Sequence, residues 1–195
     1  MTEFDFKGSG TGSLAIKQLD LDSLAIHVPA IPPDAVGFYK LNCMVCMHRN
    51  GHSSGVKLRV ENNTKSPATF EVLWGGDISD RILYAFRDTN KAVDFAACAI
   101  ALILVCELTD LTAIEQSVVG TTIDYYLGSQ DDADDVLIFN RKARLEVSGI
   151  LTENEQNTVD DRVRTKLRRL DKKDSLPALI VVVEFGQPWS KLVQQ

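Results

Sequence analysis

Between residues 142 and 149 polar and apolar positions alternate one by one. Lys142, Arg144, Glu146 and Ser148 fall on one side, and Ala143, Leu145, Val147 and Gly149 on the other. This predicts a strand over residues 142–150 with one wholly polar face. The same period of two marks residues 56–60 and 69–74, and Asn62, Asn63 and Pro67 between them suit a turn. Shorter β-type runs at 14–16 and 24–28 precede Pro29, Pro32 and Pro33, which break the pattern. Residues 51–55 read as a hairpin turn into Val56. The first ninety residues are therefore expected to form a small antiparallel β-rich unit.

The pattern changes at Asn90, a plausible N-cap, after which the chain is rich in Ala and Leu as far as Leu108. The apolar run 92–108 carries Asp94 and Glu107 and is shorter than the roughly 20 residues a bilayer span needs, so a buried helix is expected. Thr112-Ala113-Ile114-Glu115 reads as a capping box opening a short helix that Gly120 ends. Residues 121–127 then predict a strand bearing Asp124, 128–135 a polar loop and 136–139 a short strand. Thr152-Glu153-Asn154-Glu155 reads as a second capping box. The helix it opens, 153–171, places Val159, Val163, Leu167 and Leu170 on one face and Arg162, Arg164, Lys166, Arg168 and Arg169 elsewhere. Pro177 precedes an apolar strand, 178–183, which ends in Glu184. The predicted organisation is a Gly/Ser-rich lead-in (1–12), a β-rich region (13–89) and an α/β core (90–195), the last two separate or continuous. In a sheet covered by helices on both sides, both strand faces are usually apolar. The polar face at 142–148 therefore needs a reason, and a metal or phosphate site is one.

The chain has 195 residues, 45% of them hydrophobic, and a formal net charge of −6. That size allows one large domain or two smaller ones. The acidic balance argues against a general nucleic-acid coat protein, though not against an enzyme with a local basic groove. The opening Met-Thr-Glu-Phe-Asp-Phe-Lys carries no secretory pattern. A cytoplasmic protein with no membrane segment and with reduced thiols at Cys43, Cys46, Cys98 and Cys106 is expected.

Asp124 and Glu146 are candidate ligands for Mg²⁺ or Mn²⁺, hard cations that take oxygen donors. The order of elements and the Asp…Glu-Val-Ser string resemble the core of the restriction-endonuclease-like, PD-(D/E)XK-type phosphodiesterase superfamily, over roughly residues 90–186. The resemblance implies an αβββαβ core behind a β-rich N-terminal extension. It also implies metal-ligand roles for Asp124 and Glu146, and Mg²⁺-dependent hydrolysis of DNA or RNA. A family Glu on the first helix corresponds to Glu107 or Glu115. Of these, Glu115 fits a backbone cap, and Glu107 sits at a helix C-terminus, where the dipole disfavours it. Two departures stand out. No Pro precedes Asp124, and Ser148 occupies the place of the family's catalytic Lys. Lys142, Arg144 or Lys166 are the candidate replacements for that charge, with Ser148 left to hydrogen-bond water.

Other readings stay open. Asp124 and Glu146 can belong to a structural ion-pair network with Arg144 or Lys142. The protein can be a catalytically inactive accessory or interaction protein, working through a protein partner or as a homodimer. The basic face of the 153–171 helix reads either as a phosphate contact or as an ordinary solvated face. Cys43, Cys46, His48 and His52 make a compact set that would build a zinc-stabilised binding module. If residues 43–48 form a strand, however, Cys46 and His48 share a face that Cys43 does not, which disfavours zinc.

Overall fold

Strands from both halves of the chain join one sheet. The computed structural model describes residues 16–64, 66–118, 120–131, 140–170 and 174–195. The expected lead-in at 1–12, most of the β-type run at 14–16 and the short strand at 136–139 lie outside the described residues. The strands are β1 (Lys17–Asp20), β2 (Val56–Asn62), β3 (Ala68–Leu73), β4 (Leu111–Gln116), β5 (Tyr125–Ser129), β6 (Ala143–Ile150), β7 (Ala178–Glu184) and β8 (Trp189–Gln194). The α-helices are α1 (Leu24–His27), α2 (Pro33–Arg49), α3 (Asp80–Ala85), α4 (Thr89–Leu108) and α5 (Val159–Arg169). The sheet order is β1-β3-β2-β8-β7-β6-β5-β4. The pairs β1/β3, β2/β8 and β6/β7 are parallel and the others antiparallel. The fold is thus mixed α/β. From Thr89 to Glu184 the described elements run α-β-β-β-α-β.

Alternation in β7 shows how the layers are built. Leu179, Val181 and Val183 enter the large core with residues of α2 and α4, while Ala178, Ile180 and Val182 meet Val159 and Val163 of α5 and Leu170 just after it. All seven β7 residues are buried, as expected for a strand covered on both faces. β6 is buried throughout as well, but its α5-facing side carries Arg144, Glu146 and Ser148. The polar face predicted from the alternation therefore points into the layer between the sheet and α5.

Several expectations are corrected. The first ninety residues are not an antiparallel β unit: α2 is a 17-residue helix begun by Pro33 at its first turn, where a missing N–H costs nothing. Residues 42–47 are buried without a break, so no polar stripe marks the helix. Residues 24–27 form a helical turn, and 51–55 join α2 to β2 instead of closing a hairpin. The 112–115 segment is strand β4. Glu115 caps no helix there; it holds Arg141 through two bonds of 2.9 and 2.7 Å. The cap of α4 is Asp88, whose carboxylate accepts from the Lys91 amide at 3.4 Å, not Asn90. α5 starts at Val159, with Thr158 accepting from the Asp161 amide at 3.1 Å. Glu153 contributes from outside, its carboxylate taking the Val159 amide and the Trp189 indole.

One glycine sets the helix–sheet distance. A Cβ at Gly149 would stand 2.4 Å from Val93 Cγ1 and 2.6 Å from the Val93 carbonyl oxygen of α4. The second contact is backbone and cannot swing aside. Gly149→Ala is expected to destabilise the fold by about 2 kcal/mol, in the range for overpacking. Urea unfolding checks this, and an unchanged midpoint would contradict the close approach.

Candidate active site

β5 pairs with β6 only from Tyr125 to Leu127, opposite Leu145 to Ala143. Beyond that point β6 runs on and the chain before β5 leaves it. Asp124 sits at this fork, one residue ahead of β5 and not inside a strand as predicted. Its amide donates to the Leu145 carbonyl at 2.9 Å, and its carboxylate Oδ2 accepts from the Val147 amide at 2.7 Å. A side chain thus takes the place of a ladder partner and pins the carboxylate beside β6.

Glu146, 8% exposed, points to the α5 side. Its Oε1 accepts from Lys166 Nζ of α5. Burial pushes the Glu146 carboxyl up to about 7; the Lys166 bond opposes this and the nearby Asp124 carboxylate adds to it. Two residues on, Ser148 Oγ accepts from Arg162 at 3.2 Å, and Arg162 also binds Asn157 at 2.7 Å. The helical spacing of four puts Arg162 and Lys166 on one side of α5, one turn apart along β6.

Asp94 is the residue that sequence reasoning passed over. It faces the same fork from α4 and lines an open cleft of about 350 Å³ with Asn90, Thr152, Asn157 and Arg162. Partial burial raises its carboxyl, Asp124 raises it further, and Lys166 and Arg162 oppose the change. The only sequence signal was a carboxylate inside an apolar run. Beneath it lie Cys98, one turn along α4, and Tyr125, whose hydroxyl meets that of Tyr39 at 3.0 Å. Burial raises both the Cys98 thiol and the Tyr125 hydroxyl.

The structure brings Asp124, Glu146, Ser148 and Lys166 together. Arg144 shares their strand face, but its guanidinium binds the Leu176 carbonyl at 3.0 Å and Asp174 at 3.4 Å. It secures the approach to β7. Lys142 lies before β6 and is exposed. Glu107 is a correction. It stands thirteen residues beyond Asp94 on α4, about 20 Å along the axis, with Lys17 at 3.9 Å. The first-helix carboxylate at the fork is Asp94, and Glu115 is occupied by Arg141.

Among the described residues no group of three or more His, Cys, Asp or Glu side chains stands ready to hold a metal. The donors at the fork are a carboxylate pair, and Mg²⁺ commonly binds through one or two carboxylates while keeping several waters. The pair fits such an ion chemically: Glu146 is raised chiefly by burial and further by the neighbouring Asp124 carboxylate, and a cation between the two offsets both. The Cys/His set does not converge. Cys43 and Cys46 are buried in the core of α2, and burial drives both thiols up, Cys46 to about 12. That opposes the thiolate a zinc ligand needs. His48 is exposed and His52 binds the Gly186 carbonyl at 3.0 Å. Residues 43–48 are helical, so the strand condition on which the zinc set was disfavoured is not met, and burial of the two cysteines is what stands against zinc.

Comparison with family models, curated proteins and solved structures finds no match. Among the described residues no helix is long and apolar enough to cross a membrane.

Proposed function

We propose that the protein is a divalent-metal-dependent phosphodiester hydrolase acting on DNA or RNA. The observation that carries this reading is the seat of Lys166. The strand position that would hold a lysine is Ser148, and a lysine arrives from α5 onto Glu146 instead. Two carboxylates and one ammonium thus meet at the end of a strand pair. The α-β-β-β-α-β order around them supports the resemblance to the PD-(D/E)XK core.

Asp124 and Glu146 would hold Mg²⁺ or Mn²⁺. When bound, that ion supplies a Lewis acid for the phosphoryl oxygen and lowers the pKa of a coordinated water. The remaining work belongs to the chain. The Val147 amide fixes the orientation of Asp124, and Lys166 sets a positive charge where a phosphate gains negative charge. Arg162 holds Ser148 and offers a second cation on the cleft wall. Asp94 closes the far side and orders water by hydrogen bonding.

The test is incubation with mixed DNA and RNA in Mg²⁺ or Mn²⁺, beside Asp124→Asn and Glu146→Gln. Metal-dependent cleavage that both substitutions abolish is expected. No cleavage by a folded wild-type protein would turn the reading to an accessory protein that keeps the arrangement as an ion-pair network.

A further inference from the structure

Of the described Lys and Arg residues that are not exposed, Lys40, Arg144, Lys166 and Lys191 each meet a carboxylate at ion-pair distance. Arg162, half-buried on α5, meets none among the described residues. Neutral groups position it instead. Its Nε donates to Asn157 Oδ1 at 2.7 Å and its Nη1 to Ser148 Oγ at 3.2 Å. A guanidinium carries five N–H donors, so both on Nη2 and one on Nη1 are left over. Because a guanidinium only donates, the Asn157 oxygen must face it. The Asn157 NH2 group is then left without a partner among the described residues.

Arg162 and Asn157 line the open cleft of about 350 Å³ together with Asn90, Asp94 and Thr152. Taking a guanidinium partly out of water is unfavourable unless an anion completes it. Its planar fork matches two oxygens of a phosphate at once. The side-chain amides of Asn157 and Asn90 add donors for further oxygens, of which a phosphate has more than a carboxylate. Asp94 is the one carboxylate that lines the cleft, and it lies toward the fork, within electrostatic reach of Asp124. It opposes an anion there, so Arg162 and the two amides are the source of affinity.

We propose that Arg162, set by Asn157 and Ser148, binds a phosphate group in this cleft, in a subsite distinct from the carboxylate pair at Asp124 and Glu146. As a place for substrate it rests on the hydrolase reading, and the phosphate belongs either to a strand terminus or to the backbone beside the scissile bond. The probe is inorganic phosphate, titrated in EDTA at constant ionic strength and followed by the backbone amide NMR signals of the cleft residues, beside acetate. Saturable shifts with phosphate and weaker ones with acetate are expected. Arg162→Gln should weaken phosphate about tenfold or more, and Asp94→Asn should tighten it. Asn157→Asp keeps the guanidinium but gives it a carboxylate. It should lose phosphate binding while staying at least as stable in urea, a loss that a purely structural Arg162 would not produce. Oligonucleotides with and without a terminal phosphate, also in EDTA, separate the two sources. A gain from the terminal phosphate that Arg162→Gln removes assigns the terminus. Equal binding of all of them, weakened by Arg162→Gln, assigns the backbone. No saturable shift, acetate binding as tight as phosphate, or phosphate binding untouched by Arg162→Gln and Asn157→Asp would overturn the proposal. Phosphate binding by a folded protein that cleaves nothing in Mg²⁺ would sink the hydrolase reading and leave the subsite standing.

Discussion

Lys166→Met is expected to cost roughly 10²–10³ in cleavage rate, about 3–4 kcal/mol of transition-state stabilisation, with the fold intact. Met nearly keeps the length of the side chain but removes the charge and the bond to Glu146, so the Glu146 carboxyl rises further and rates are compared at alkaline pH, where it is ionised. Lys166 is the cation placed on Glu146, and Arg144 is held at Leu176 and Asp174. The neighbouring Arg162 is tied to Ser148 and Asn157, so it does not take over by a simple rotation. Single-turnover rates at saturating Mg²⁺ measure the loss. The double variant Lys166→Met with Ser148→Lys puts the ammonium back from the strand side. Partial recovery there would show that the charge matters more than the element carrying it. A Lys166→Met protein with the wild-type rate would remove Lys166 from the chemistry.

The second large effect is on stability. Glu146 has an ordinary carboxyl value of 4.5 when the chain is unfolded and about 7 when folded. The folded state therefore binds the proton more tightly, and the unfolded state releases it first as pH rises. Stability associated with this group is fully present below 4.5 and is lost as pH climbs through 7. The interval corresponds to about 3 kcal/mol. Urea unfolding at pH 5 and pH 8 should show wild type losing about that amount. Glu146→Gln, which cannot ionise, should lose far less and be the more stable protein at pH 8. A wild-type stability that does not fall between the two pH values would contradict the assignment. Activity should run the other way, rising with pH as Glu146 gives up its proton to become a ligand.

Much of this site could be read along the chain. The alternation at 142–149 revealed the polar face of β6 because a strand has a strict period of two. The four-residue spacing of Val159, Val163 and Leu167 fixed which side of α5 is apolar, leaving Lys166 turned toward the polar layer. Asp94 escaped because its partners lie 30 and more residues away and nothing local explains a carboxylate there. α2 was misread because its middle is buried all round, so the amphipathic signal that identifies most helices is absent. β4 was misread because Thr112 and Glu115 match a capping box by spacing alone, while tertiary pairing with β5 and Arg141 decided otherwise. β8 was missed because Trp189-Ser190-Lys191-Leu192-Val193-Gln194 has no period of two. It is short, and its role as the link between β2 and β7 comes from long-range pairing.

In the proposed function Asp124 and Glu146 form a cation site in competition with a proton. Calorimetric titration of Mn²⁺ into the protein at pH 6.5 and pH 8, in buffers of different ionisation enthalpy, addresses it directly. One saturable site is expected, weaker at pH 6.5, with proton release there that fades by pH 8. No such site is expected in Asp124→Asn or Glu146→Gln. Binding that survives both substitutions, or no binding at either pH, would contradict it.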